Sequence, residues 1–144
     1  MNKEKTTYFL DSTTLIHAID KEAEYQKECL NIINKAAKGL INAASSLETL
    51  EETLFLLSRL ISNRDALRVV RNLMLLPGLS KHVMGYPTLM QAMEVMEIYP
   101  IRPKDAINIA TMLEKNIRFI ISEDKDYDKI DLVQRINPRD LANL

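Results

Sequence analysis

The sequence predicts an α/β fold, a three-layer α/β/α sandwich built on a short parallel sheet. Three observations carry this expectation. Short β-branched or aliphatic runs alternate with longer segments whose apolar residues recur at helical spacing. No hairpin signal such as Asn-Gly joins any two of the runs. Acidic and polar residues follow the runs directly, as they do where a strand of an open sheet hands over to a helix. Strands joined through helices run parallel, with right-handed crossovers and helices on both faces.

The elements follow in order. Thr6-Thr7-Tyr8-Phe9-Leu10 is a buried strand that stops at the polar turn Asp11-Ser12-Thr13, after which Leu15, Ile16 and Ile19 recur at helical spacing. A second helix covers residues 25–37 with Cys29, Ile32, Ile33 and Ala36 inward, and Lys38-Gly39 ends it as a basic last turn with a glycine stop. Residues 40–44 form the next strand. Ser45-Ser46-Leu47-Glu48 has capping-box spacing, and Leu47, Leu50, Leu54, Leu57 and Ile61 carry a long helix from it. Ser62-Asn63 starts another, with Leu67, Val70, Leu73 and Met74 on its apolar face, Arg64, Arg68 and Arg71 opposite, and Pro77-Gly78 breaking it. A short strand is expected at 81–84 and a helix at 88–97 with Leu89, Ala92, Met93 and Met96 inward. Pro103 opens a helix that runs to Lys115, Phe119-Ile120-Ile121 is a buried strand ending in Ser122-Glu123-Asp124, and residues 133–136 are the last strand.

Composition bounds what such a fold can do. The 144 residues make one domain, 1–144, long enough to bury roughly two-thirds of its unfolded surface. A net charge of -1 with evenly mixed signs excludes a generic nucleic-acid coat and an acidic tail, so any polyanion is held locally. The single Cys29 forms no internal disulfide, and no Cys/His cluster offers zinc ligands. This fits a reducing compartment, and a cytoplasmic protein is expected. No apolar run is long enough to span a bilayer, and residues 1–5 are followed by Asp11 too soon for a signal peptide.

Asp11, Glu52, Asp105 and Asp124 sit where a strand hands over to a helix or just inside that helix. Ligand crevices of open α/β sheets lie outside the carboxyl ends of the strands, so these carboxylates converge from distant segments. Like charges at one point raise at least one pKa, and an ionised cluster calls for a hard cation such as Mg²⁺ or Mn²⁺. Each acid also has a plainer reading: Asp105 suits the dipole of the helix opened by Pro103, and Asp11 and Asp124 suit turn caps. Separate caps have no reason to share one sheet edge. The capping box accounts for Glu48, whereas periodicity puts Glu51 and Glu52 equally beside the leucine stripe.

Phe9-Leu10-Asp11-Ser12, Ser46 through Glu51-Glu52-Thr53-Leu54, Arg102-Pro103-Lys104-Asp105-Ala106 and Ile120 through Asp128 together resemble the successive motifs of PIN-domain proteins, including VapC-type toxins. The resemblance runs in order across essentially the whole chain. It implies a parallel sheet with a pocket of acids that binds Mg²⁺ or Mn²⁺ and cuts single-stranded or loop RNA to 5′-phosphate and 3′-hydroxyl ends. Motif by motif it implies catalytic roles for Asp11, Glu52, Asp105 and Asp124, and it is what favours Glu52 over Glu51. Asp11, Asp105 and Asp124 are assigned to the metal, directly or through water, and Glu52 to a further ligand or to orienting the attacking water. The relatives also imply dimer and antitoxin contacts through the helices of residues 47–76, where Phe55, Leu56 and Leu60 lie off the main stripe and point to a homodimer.

Other residues have weaker signals. Asp126 and Asp128 fall in a variable part of the pattern; Ser12, Ser46 and Ser122 suit donors to carboxylates or plain caps. His17 and His82 have no evident partner, and the seven methionines suit core gaps or a partner groove. Arg102, Lys104 and Lys125 flank the acidic motifs and suit RNA phosphates better than Arg59, Arg64, Arg68 and Arg71, which suit a solvated helix face. Two other classes share some features. A phosphoacceptor receiver domain needs paired acids at the first strand and an aspartyl nucleophile after a central one, neither of which is here. A catalytically silent PIN-like protein- or RNA-binding module tolerates loss of acids, and this chain keeps all four.

Overall fold

The computed structural model describes residues 6–142; residues 1–5, on which the expectation of no signal peptide rests, lie outside it. Five strands form one parallel sheet: β1 (Thr7–Leu10), β2 (Asn42–Ser46), β3 (Leu79–His82), β4 (Phe119–Ile121) and β5 (Gln134–Ile136), in the order β3-β2-β1-β4-β5. Seven helices are present among the described residues: α1 (Ser12–Ile19), α2 (Gln26–Ala37), α3 (Leu47–Leu60), α4 (Asn63–Met74), α5 (Tyr86–Ile98), α6 (Pro103–Glu114) and α7 (Pro138–Ala142). A 3₁₀ helix, Lys125–Lys129, follows β4. This is the α/β/α sandwich that the alternation of elements predicts.

Strand alternation divides the core. Phe9, Ala44 and Ile120 pack with α5 and α6 through Ala92, Val95, Ala106, Ile109 and Met112. Leu10, Ala43 and Ile121 face the other way, onto Leu15, Ile32, Ala36, Leu50 and Leu73. Neighbouring residues on a strand point to opposite faces, so six strand residues anchor two helical layers. A third cluster of Leu57, Ala66 and Val70 joins α3 to α4, with Ile16 and Ile19 of α1 against it.

The boundaries show where packing overrides pattern. β2 begins at Asn42 and not at Leu40, which is 63% exposed. It runs on through Ser45 and Ser46, because the hydroxyl of Ser45 donates to the Leu10 carbonyl (3.1 Å) and lets a polar residue sit in the sheet centre. β3 lies two residues earlier than expected: Leu79 is the buried anchor, and Val83, expected inside the strand, is exposed. In α5 the inward residues are Thr88, Ala92 and Val95, while Leu89, Met93 and Met96 face outward. Small and β-branched residues allow α5 to lie close against α6, and the long side chains are left outside. Likewise Leu67 and Met74 of α4 are exposed, and Ala66 takes an inward place.

Two helix ends show local chemistry at work. α2 ends in a Schellman arrangement, with Gly39 N–H on the Ala36 carbonyl (3.0 Å), Leu40 N–H on the Lys35 carbonyl (2.9 Å) and Gly39 at φ +70°. Ser46 caps α3 by accepting from the Thr49 N–H (3.0 Å), whereas Glu48 does not complete a capping box and instead accepts from the Met84 N–H (3.2 Å).

Candidate active site

The chain passes from β1 outward through β2 to β3, then returns to build β4 and β5 on the other side. The direction of strand order therefore reverses between β1 and β4, and there the crevice at the carboxyl ends opens. Asp11 follows β1 directly, and its N–H still bonds the Ile121 carbonyl at the end of β4 (3.3 Å). The Ser122 hydroxyl donates across the same seam to Asp11 Oδ2 (2.8 Å) and accepts from the Asp124 N–H (3.0 Å). One serine thus ties together the acids that end the two central strands.

The other acids arrive on helices. Asp105 lies in the first turn of α6, held there by Pro103 at the helix start, and is buried. Glu52 comes from the second turn of α3 and forms an ion pair with Lys104, while Glu51 is exposed. Asp11, Glu52, Asp105 and Asp124 all line one cleft of about 410 Å³, together with Ser12, Thr13, Leu56, Arg102, Pro103 and Lys104. Arg102 spans two of the acids, reaching Asp124 Oδ2 at 3.0 Å and Asp105 Oδ2 at 3.3 Å.

The electrostatics are those of charge gathered in a shielded place. Burial raises the carboxyl of Asp11 above its ordinary range, against the opposing pull of the Ser122 hydroxyl and the Ser12 N–H. Burial also raises Asp105, opposed by the Tyr127 hydroxyl and Arg102. Lys104 is lowered by burial, with the charges of Asp11 and Asp105 acting the other way. One oxygen from each of Asp105, Asp124 and Asp126 lies within 4.8 Å of the others. Such an all-oxygen set suits a hard cation that keeps several waters. Asp126 therefore joins the convergent group, while Asp128 turns away into a two-point pair with Arg135 (2.8 and 2.9 Å).

Several side chains near the cleft have no clear sequence signal. Thr49, Asn108 and Tyr127 are buried polar residues hydrogen-bonded in series to Asp105. Asn108 sits three residues after Asp105 on the inward face of α6, where an apolar residue is the usual choice; that mismatch is the one available hint. His17 Nδ1 lies 3.1 Å from Glu123 Oε2, and His82 lies 3.2 Å from the Ser80 hydroxyl. Arg102 and Lys104 line the cleft; Lys125 does not. Arg64, Arg68 and Arg71 line a separate surface concavity with Leu67.

An open parallel sheet with acids from four segments at its switch point defines an α/β/α domain with an acidic cleft. The chain belongs to the PIN-domain family, whose sequence pattern it matches over residues 8–133. No curated protein matches it in sequence. Among solved structures it is similar to VapC20 of Mycobacterium tuberculosis, a sarcin-ricin loop cleaving toxin, with a TM-score of 0.73 and 19% identity over 88% of this chain and 96% of that one. It is also similar to VapBC2 from Rickettsia felis bound to a DNA fragment from its promoter (TM-score 0.70, 15% identity, 92% and 98% covered). A third similar structure is FitAcB from Neisseria gonorrhoeae (TM-score 0.67, 16% identity, 92% and 98% covered). At these identities the likeness concerns the fold.

Proposed function

We propose that this protein is a Mg²⁺- or Mn²⁺-dependent endoribonuclease of VapC type, with RNA as substrate and an antitoxin protein as partner. The observation that carries the reading is the convergence of Asp11, Glu52, Asp105 and Asp124 on one cleft at the β1/β4 switch point. A silent interaction module has no use for four acids in one concavity, where each adds to the cost of the others. The toxin–antitoxin setting of the similar structures supports the partner.

In this reading Asp105, Asp124 and Asp126 would hold the cation, with Asp11 completing the site directly or through water. When bound, the divalent ion supplies an acidified water and relief of charge at the phosphate. Glu52 accepts a hydrogen bond from the attacking water and fixes its line of approach. Arg102 and Lys104, at the cleft lining, take phosphate oxygens and place the scissile bond between the acids. Ser122 keeps Asp11 and Asp124 in register throughout. The experiment is cleavage of an RNA panel under Mg²⁺ and Mn²⁺ titration, with end analysis for 5′-phosphate and 3′-hydroxyl. Loss of cleavage in Asp11→Asn is expected; metal-independent cleavage, or full turnover in that variant, overturns the reading.

A further inference from the structure

Under the cleft floor, Ser46, Thr49, Asn108, Tyr127 and Asp105 form one continuous line of side-chain hydrogen bonds. None is more than 5% exposed. The polarity of the line is set at its Asp105 end. An ionised carboxylate only accepts, so the Tyr127 hydroxyl donates to Asp105 Oδ1 (3.0 Å). The Tyr127 oxygen is then the acceptor for Asn108 Nδ2 (3.1 Å), which turns Asn108 Oδ1 toward Thr49, whose hydroxyl donates to it (3.1 Å). Ser46 closes the line by donating to Thr49 Oγ1 (2.9 Å). Each hydroxyl along the line thus has a single acceptor for its proton.

The line also joins three elements that bring acids to the cleft. Ser46 and Thr49 open α3, which carries Glu52; Asn108 and Asp105 share α6; Tyr127 is in the 3₁₀ helix that follows Asp124 and includes Asp126. With Oδ1 of Asp105 held from below, Oδ2 is the oxygen that Arg102 reaches from the mouth. We propose that Tyr127 is a positioning residue: its hydroxyl, oriented by Asn108 and Thr49, fixes the plane of the Asp105 carboxylate and presents Oδ2 to a divalent cation shared with Asp124. The proposal rests on the reading of the cleft as a Mg²⁺ or Mn²⁺ site. Nothing in it requires Tyr127 to touch RNA.

The test uses the full chain and Mn²⁺ itself, with affinity measured by calorimetry or by water-proton relaxation, beside RNA cleavage and thermal unfolding. Tyr127→Phe keeps the ring in the core and removes the hydroxyl. It should raise the Mn²⁺ dissociation constant about tenfold, the lower end for losing a group that orients a metal ligand, while the circular dichroism stays that of the wild type. Thr49→Val, two links away, should give a smaller loss of affinity in the same direction. Thr111→Val removes an equally buried hydroxyl of α6 that bonds only the Ile107 carbonyl, and should leave Mn²⁺ affinity unchanged. Wild-type affinity in a folded Tyr127→Phe overturns the proposal; if that variant does not fold, wild-type affinity in Thr49→Val overturns it. A wild type that binds Mn²⁺ but cuts no RNA, with weaker binding in Tyr127→Phe, supports the positioning role and overturns the nuclease reading. A wild type that binds no Mn²⁺ overturns both.

Discussion

Asp11 sets charge against place: it is a carboxylate with almost no exposure to water. Its carboxyl is raised by burial, so the folded state holds its proton to higher pH than the unfolded chain does. Folding is then least penalised below the unfolded value of about 3.9, loses stability as pH rises through the folded pKa, and bears the full penalty above it. Asp105 behaves in the same sense. Asp11→Asn should therefore melt higher than the wild type at pH 7 in chelator, with the gap closing as pH falls toward the carboxylate range and closing again at pH 7 on addition of Mn²⁺. A melting temperature at pH 7 below that of the wild type would mean that the lost Ser122 bond outweighs the removed charge. Glu52→Gln should lower cleavage about a hundredfold, on the order of losing one preorganised polar group, and Glu51→Gln should leave it near wild type. Rate assays on both variants decide it. The acids were legible because strand-to-helix junctions are marked by abrupt changes of composition. Periodicity did not separate Glu51 from Glu52, because both flank a leucine stripe; the family resemblance alone favoured Glu52, and the rotation of α3 against the sheet is what brings it to the cleft. Tyr127 gave no signal, since a lone tyrosine in the charged run Asp124-Lys125-Asp126-Tyr127-Asp128 reads as a turn residue until the fold buries it.

At the scale of elements, the tightest of the glycine positions is at the turn before β3. A Cβ on Gly78 would lie 1.8 Å from the carbonyl oxygen of Ala36, so the turn and the end of α2 touch backbone to backbone. Gly78→Ala should cost roughly 3 kcal/mol or more, at or above the upper end for overpacking, because a helix backbone cannot give way as a side chain can. Chemical denaturation against wild type measures it, and a loss under 1 kcal/mol would show that α2 moves freely. Helix starts and stops were largely readable, since Pro103, Ser46 and Lys38-Gly39 act through bonds within a few residues. β2, β3 and α5 were less so. A strand of alanines and serines has no hydrophobic pattern of its own, and a helix apolar nearly all round does not declare which side is inward. The choice falls to the neighbour that packs closest.

For the whole molecule, the order β3-β2-β1-β4-β5 decides where the cleft opens, and it leaves two apolar helix surfaces outside. Phe55, Leu56 and Leu60 of α3 are exposed, as expected of residues off the main stripe, with the Arg59 guanidinium 4.4 Å above the Phe55 ring. Leu89, Met90, Met93 and Met96 of α5 make up the second. A homodimer through the α3 surface should sediment as such at micromolar concentration and dissociate on Phe55→Glu or Leu60→Glu, while Met93→Glu leaves it intact. The reverse pattern would move the interface to α5, and a strict monomer would remove it.

The two rims of the sheet constrain association in another way. β3 is four residues long and carries Lys81 and His82; β5 is three residues long and carries Arg135, whose guanidinium is already committed to Asp128 and the Ser122 carbonyl. Short, charged borders give an incoming strand little to zip against, so cross-β growth from the native state has no starting rail. Concentrated or warmed samples should remain clear until the sheet itself separates, and turbidity should track global unfolding and not precede it.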